Sequence, residues 1–275
     1  MAEDPMTLLA PVDELRRIVR ALSSVVIAYS GGVDSAVLAA VARQELRHRA
    51  LAVTGRSPSV AEGELEAAIG LAQRIGVAHE IVDTREFDNP AYRANPNDRC
   101  FYCKDELFAR LCALARDRGF AHVADGFNAD DGKAPLDVRP GRRAALALGV
   151  RSPLAEAGMV KADVRALARR LDLPVWDKPA TPCLSSRVPY GTRIELDDLR
   201  RIDLAERYLR ARGYDVVRVR HHGATARIEV AKEQLERLRR EETRVAGVLA
   251  EVGYRNIEID DRGYRTGSLN EGHNR

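Results

Sequence analysis

Ser24-Val25-Val26-Ile27-Ala28-Tyr29-Ser30-Gly31-Gly32-Val33-Asp34-Ser35 is the stretch whose reading decides the fold. Its first half is a short apolar run of strand length, suited to a parallel strand buried on both faces. Its second half places two glycines between serines, where a backbone without Cβ atoms can turn tightly and present successive N–H groups to an anion. Ser30 and Ser35 add hydroxyl donors, and a helix from Ser35 to Glu45 would aim its positive end at the same point. The bland alternative is an ordinary strand-to-helix turn with an N-capping serine or aspartate. The strand-loop-helix setting favours the phosphate reading. No third glycine stands at the spacing of a dinucleotide fingerprint, and no Gly-Lys-Ser or Gly-Lys-Thr follows as in a Walker loop.

Outward from this loop, strands alternate with helices. An amphipathic helix, 12–22, precedes it; a strand over 50–54, a helix over 59–75, a strand over 79–83, a helix over 105–118 and a strand over 121–124 follow. A helix over 161–171 and the short segment Val175-Trp176 close the unit. This order predicts an α/β fold with a Rossmann-like parallel sheet and right-handed crossovers. Beyond a Pro-rich, Cys-containing connection from Asp177 to Tyr190 the order changes to helix (196–212), strand (215–219), strand (226–230), helix (232–248) and strand (256–259). That predicts a smaller α+β domain with an antiparallel sheet. The division is placed so that 1–185 form the domain of the phosphate loop and 186–275 the C-terminal α+β domain.

The 275 residues carry 44 Lys and Arg against 41 Asp and Glu, a formal charge of +3. So even a balance argues against a large nucleic-acid footprint or a membrane-coating role. The start, Met1-Ala2-Glu3-Asp4-Pro5, is acidic where a secretory signal is basic and then apolar, and no apolar run reaches the length of a membrane span. A cytoplasmic protein without membrane partners is expected.

Four cysteines stand at 100, 103, 112 and 183. Cys100-Phe101-Tyr102-Cys103 lies between Arg99 and Lys104, whose charges lower thiol pKa values. Such a pair can be redox-active, bind zinc or give two ligands to an iron–sulfur cluster. Cys112 shares a helix face with Leu107, Phe108, Leu111 and Ala115 and reads as a core thiol. Cys183, in a loop between Pro182 and Leu184, reads as an accessible thiolate supported by Lys178.

The Ser-Gly-Gly-Val-Asp-Ser loop after an apolar strand resembles the PP-loop of ATP pyrophosphatases, which cleave ATP between its α and β phosphates. The segment 176–192, Trp-Asp-Lys-Pro-Ala-Thr-Pro-Cys-Leu-Ser-Ser-Arg-Val-Pro-Tyr-Gly-Thr, resembles more narrowly the cysteine-bearing segment of the LarE family. Those are ATP-dependent sulfur transferases of nickel-pincer nucleotide synthesis, the cofactor of lactate racemase. Agreement extends to residues 125–131, 139–141, 152–154, 217–220, 226–230 and the ending 263–270, and so covers nearly the whole chain.

The resemblance implies the rest. ATP with magnesium would be held by Ala28, Ser30, Gly31, Gly32, Val33, Asp34, Ser35, Thr54, Gly126 and Asp130. The substrate would be a pyridinium dicarboxylate mononucleotide, its phosphate near Ser186, Arg187, Arg218 and Arg220. Glu206 and Glu229 would form a secondary metal site. Each carboxylate would attack the α-phosphate, and a sulfur at Cys183 would displace AMP. With Cys100, Cys103 and Cys183 present, the sequence matches members in which three thiolates hold a 4Fe-4S cluster and leave one iron open for sulfide. Other members resemble sacrificial reagents that give up the sulfur of one cysteine, and that route stays open at Cys183. Expected partners are a sulfide or persulfide donor, transient contacts with other proteins of nickel-pincer synthesis, and further copies in a homo-oligomer such as a hexamer. Competing readings are a tRNA 2-thiolation enzyme, an amide-forming ligase of the NAD synthetase kind, and a nucleotide-binding or cluster-sensing protein without turnover.

Overall fold

A computed structural model describes residues 5–133, 139–179 and 181–265, with side chains from Leu9 onward. Ala180 of the cysteine-bearing segment and 266–270 of the quoted ending lie outside the described residues. In chain order the elements are α1 (Pro5–Ala21), β1 (Val25–Ala28), α2 (Val33–Leu46), β2 (Ala50–Arg56), α3 (Glu64–Ile75), β3 (Ala78–Asp83), α4 (Pro90–Arg93), α5 (Arg99–Arg118), β4 (His122–Ala124), α6 (Gly141–Ala147), α7 (Pro153–Glu156), α8 (Lys161–Arg170), α9 (Leu196–Ala211), β5 (Val217–His222), β6 (Thr225–Val230), α10 (Leu235–Arg240), α11 (Glu242–Val252) and β7 (Asn256–Ile259). Among the described residues no helix is long and apolar enough to cross a membrane. The chain divides into two compact units, one within residues 1–92 and 98–181, the other within 93–97 and 182–275.

In the first unit the strands lie in the order β3-β2-β1-β4, all parallel. Alternate side chains explain why both faces are covered. Val25, Ile27, Ala50 and Ala52 join a core with Leu15 and Val19 of α1, Val37 and Val41 of α2, and Leu167 of α8. Val26, Leu51 and Val53 face the other way, onto Phe108, Leu111 and Ala115 of α5. Each such buried valine, leucine, isoleucine or phenylalanine contributes about 1.5–3 kcal/mol. The chain runs outward from β1 through β2 to β3 and then returns to place β4 on the other side of β1. The carboxyl ends of β1 and β4 therefore flank a topological switch point, the place where open α/β sheets bind ligands.

The expected helix over 105–118 starts six residues earlier, at Arg99, and takes Cys100 and Cys103 into its first turn. The helix expected from 59 starts at Glu64, after a turn through Ser57–Ser59. The closing segment Val175-Trp176 is a turn, with Trp176 packed against the core and under Arg169 at 4.0 Å. The helices α6 and α7 were not anticipated.

In the second unit β5 pairs antiparallel with β6, but β6 pairs parallel with β7, so the expected antiparallel sheet is mixed. The physical reason is the connection: α10 and α11 carry the chain back across before β7 enters the sheet. The helix expected over 232–248 is likewise broken at Glu241, whose carboxylate holds Arg212 and Arg237. Residues 93–97 belong to this unit because buried Asn95 donates to the carbonyls of Val188, Pro189 and Thr192, while Gly191 N–H donates back to Asn95 O.

Candidate functional site: a phosphate cradle and three thiols

Tyr29 N–H donates to Val53 O, which carries the strand ladder up to the edge of the loop. Ser30 and Ser35 then close the loop on itself: Ser30 N–H and Ser30 Oγ both meet Ser35 Oγ at 3.2 Å, and Ser35 Oγ donates to Gly32 O at 3.0 Å. Gly31 has φ +70° and sits so close to α3 that a Cβ would lie 3.0 Å from Ala68 Cα. Both features demand glycine there. From the far side of the switch point, Gly126 backs onto the start of α2, where a Cβ would lie 2.9 Å from Ser35 N. The loop is thus gripped from two sides by backbones, and the N-terminus of α2 faces the opening.

Asp34 is held by two groups that sequence reasoning did not single out. Asn128 Nδ2 donates to Oδ1 at 3.1 Å, and Lys161 Nζ pairs with Oδ2 at 2.5 Å. Lys161 opens α8, where a lysine opposes the helix dipole, and that misplacement was the available signal. Asp130 accepts the Lys161 N–H at 2.8 Å and so caps the same helix, while Asp131 accepts from Asn128 N–H. Of the residues expected around ATP, the structure brings together Ser30 to Ser35, Gly126 and Asp130. Ala28 ends β1 immediately before the loop.

Thr54 ends the buried part of β2, and its Oγ1 lies 2.8 Å from His79 Nε2 on β3. Burial pulls the His79 pKa down despite Glu80, and burial pushes the Tyr29 phenol up. Tyr29 meets the His79 ring edge-on at 5.6 Å.

Cys100 is exposed and Cys103 half-buried, three residues apart on the first turn of a twenty-residue helix. Residues at i and i+3 share a helix face. With Arg99 and Lys104 alongside, this is a donor pair suited to a soft metal or to an iron–sulfur cluster. Cys112 is half-buried beside the Phe108 and Leu111 core, and burial raises its pKa as expected of a core thiol.

In the second unit Cys183 is half-buried and caps a short 3-10 turn, Leu184–Arg187. Arg187 is fully buried. Its Nε and Nη2 fork onto the Glu206 carboxylate at 2.8 and 2.9 Å, and Nη1 donates to Cys183 O at 2.9 Å, to Pro182 O and to Ser186 Oγ at 3.0 Å. Arg220 makes the same fork on Glu229, with 3.0 and 2.9 Å, and reaches Ser186 O at 2.9 Å. Arg218 is buried beneath Tyr264, its charge 5.2 Å from the ring centre, with Nη1 on Val217 O. Burial, then the like charge of Arg187, lowers its pKa.

Four of the expected residues have partners within the protein. Arg187 and Arg220 were expected to hold substrate phosphate, but their forks turn inward onto glutamates and onto the carbonyls of the Cys183 segment. Glu206 and Glu229 were expected to hold a metal, but each holds a guanidinium. Glu206 also takes Arg210 at 2.6 Å and the Val219 N–H at 3.1 Å. Among the described residues no cluster of three or more His, Cys, Asp or Glu stands ready for a metal ion.

The chain matches the NAD synthase family over residues 11–123, the part containing the loop, β1 to β3 and most of β4. It is 45% identical, over 94% of its length and 96% of the relative's, to an uncharacterised protein of Synechocystis sp.. It is 34% identical, over 98% of its length and 95% of the relative's, to the pyridinium-3,5-bisthiocarboxylic acid mononucleotide synthase of Lactiplantibacillus plantarum. It is also 30% identical to the tRNA-specific 2-thiouridylase of Acidiphilium cryptum, over 62% of this chain and 59% of that one.

Proposed function

Because the chain belongs to the LarE family of ATP-using sulfur transferases, we propose that it adenylates the two carboxylates of a pyridinium-3,5-biscarboxylic acid mononucleotide and converts them to thiocarboxylates. The observation that carries this reading is the cradle at the switch point, where the loop Ser30 to Ser35 closes on itself at the N-terminus of α2 and Gly126 backs onto it.

A substrate carboxylate oxygen attacks the α-phosphorus of ATP, the bond to the β-phosphate oxygen breaks, and pyrophosphate leaves. The acyl adenylate then meets hydrosulfide-level sulfur: a C–S bond forms, the C–O bond to AMP breaks, and thiocarboxylate, AMP and a proton result. Repetition at the second carboxylate completes the product. Displacement in line needs positioning and charge neutralisation more than covalent help. The loop N–H groups and Lys161 supply both, with Asp34 placed to release Lys161 toward phosphate or to hold magnesium.

Cys100, Cys103 and Cys183 would hold a 4Fe-4S cluster, and such a cluster with one open iron supplies a site for exchangeable sulfide. The Cys-x-x-Cys pair supports this over a sacrificial Cys183, which needs no partner thiols. The relative that acts on tRNA shares under two thirds of this chain, and balanced charge again speaks against RNA.

The test is pyrophosphate–ATP exchange in anaerobically purified protein, with iron and sulfide measured on the same samples. Exchange that depends on the dicarboxylate nucleotide is expected, with about four irons per chain that disappear in Cys100→Ala, Cys103→Ala and Cys183→Ala. A folded protein that binds ATP but shows no exchange with this acceptor would overturn the substrate assignment. Iron-free protein yielding at most one product per chain would overturn the cluster.

A further inference from the structure

The nucleotide cradle and the Cys-x-x-Cys turn lie in the same unit, and one short element touches the support of both. Gly126 and Asn128 contact the loop at Ser35 and Asp34. Between and before them, Phe127 and Asp125 face a different neighbour. Arg142 on the first turn of α6 stacks over the Phe127 ring at 4.5 Å, donates to Ser152 Oγ and approaches Asp125 at 4.0 Å. Ser152 Oγ in turn donates to Asp125 Oδ1 at 2.7 Å, and the same oxygen accepts the Phe127 N–H at 3.1 Å.

The residues on either side of Arg142 turn to the thiol-bearing helix. A Cβ on Gly141 would lie 2.7 Å from Lys104 Cγ and 3.3 Å from Cys100 O, so α6 begins in direct contact with the Cys100–Lys104 turn. Arg143 stacks over Phe101 at 5.0 Å and pairs with Asp98 at 3.2 Å. Three consecutive residues therefore bind the ATP shoulder at one position and the thiol turn at the two flanking ones.

We infer that Gly141-Arg142-Arg143 is a rigid link through which occupation of the nucleotide cradle sets the position of the Cys100–Cys103 turn, with Arg142 as its positioning residue. The chemistry explains the use of such a link. Sulfur is wanted only after an acyl adenylate exists, so a thiol turn that takes its working position when nucleotide is bound orders the two half-reactions. Arg142 suits the task because a guanidinium can stack a ring against its face while an N–H at its edge reaches a hydroxyl and its charge lies near a carboxylate. Coupling of this kind needs contiguous packed groups, and every contact in the chain from Asp34 to Cys100 is a hydrogen bond, a stack or a backbone approach.

This inference rests on the ATP reading, and the experiment separates the two. Hydrogen–deuterium exchange is measured on anaerobically purified full-length protein with and without magnesium and α,β-methylene-ATP, which cannot be cleaved at the α–β position. In the wild type, the analogue is expected to slow exchange over residues 30–37 and, by about threefold or more, over 98–104. Arg142→Met is expected to keep the first protection and lose the second, and Arg142→Lys to restore part of it. Phe127→Leu removes the stacking face alone and serves should Arg142→Met not fold; it is expected to reduce the 98–104 response. Protection of 30–37 without any at 98–104, or an unchanged 98–104 response in Arg142→Met or Phe127→Leu, would refute the link alone. No protection at 30–37 would refute the ATP reading and the link together.

Discussion

Gly126→Ala is the substitution whose effect follows most directly from the geometry. The added Cβ would lie 2.9 Å from Ser35 N and 3.2 Å from Asp34 C, where ordinary contact begins near 3.4 Å. Something must move by about half an ångström, and neither neighbour is the flexible end of a side chain: both are backbone at the first turn of α2. Overpacking of this kind costs about 1–3 kcal/mol. If the loop moves, the cost falls on ATP binding, and the dissociation constant rises by roughly 5- to 150-fold. If the β4 side moves, it falls on stability, at about 2–4 °C of melting temperature per kcal/mol. The two readouts must share the cost, so titration of ATP without acceptor and a thermal melt are made on the same preparation. Gly70→Ala is the control, since a Cβ there meets nothing within 4 Å in the interior of α3, and a helical Gly→Ala change stabilises by about 0.5–1 kcal/mol. A Gly126→Ala protein with native melting temperature and native ATP affinity would show that the cradle is not closed from this side.

Lys161→Ala removes the cation paired with Asp34, and the KM for ATP should rise about tenfold with a smaller effect on kcat, as for loss of one charge-assisted contact; steady-state kinetics with Lys161→Arg as partial rescue check it. Arg187→Met leaves the Glu206 carboxylate buried without its main partner and should lower unfolding free energy by about 3–5 kcal/mol in urea titrations, whereas Arg187→Met with Glu206→Leu should recover much of that. Burial raises the Glu206 pKa, but the Arg187 hydrogen bonds and charge, Arg210 and the Val219 N–H outweigh it, and the net shift is downward. A depressed carboxylate stabilises the fold above its unfolded pKa of about 4.3 and loses that contribution as pH falls through its folded value. Acid titration of stability should therefore show a loss below about pH 4 that Glu206→Leu with Arg187→Met abolishes.

The loop was legible because its parts agree at every level: an apolar strand, adjacent glycines, flanking hydroxyls and a helix dipole all need one another. The parallel sheet followed from alternation alone. What escaped were features set by tertiary partners. Asp98 is the local signal of a helix start that was passed over; its side chain makes no cap, and Gly141 and Arg143 pack onto the first turn of α5 instead. The parallel placement of β7 depends on where α10 and α11 return the chain. The inward turn of Arg187 and Arg220 was invisible because an arginine facing a glutamate and one facing a phosphate have the same sequence. The pairing is decided by β5–β6 register, which sets Arg220 beside Arg227 and Arg218 beside Glu229, and by Glu206 from another element.

The clamp that Arg187 places on the carbonyls of Pro182 and Cys183 grips main chain and leaves the sulfur-bearing side chain outside its bonds. Whatever happens to the Cys183 sulfur, the tether beneath it is unchanged. A chain that had lost that atom would keep its melting temperature and its grip on nucleotide, and would persist as a competitor for ATP and substrate. The share of such copies would escape an assay of folding and would be read from bound iron and from mass.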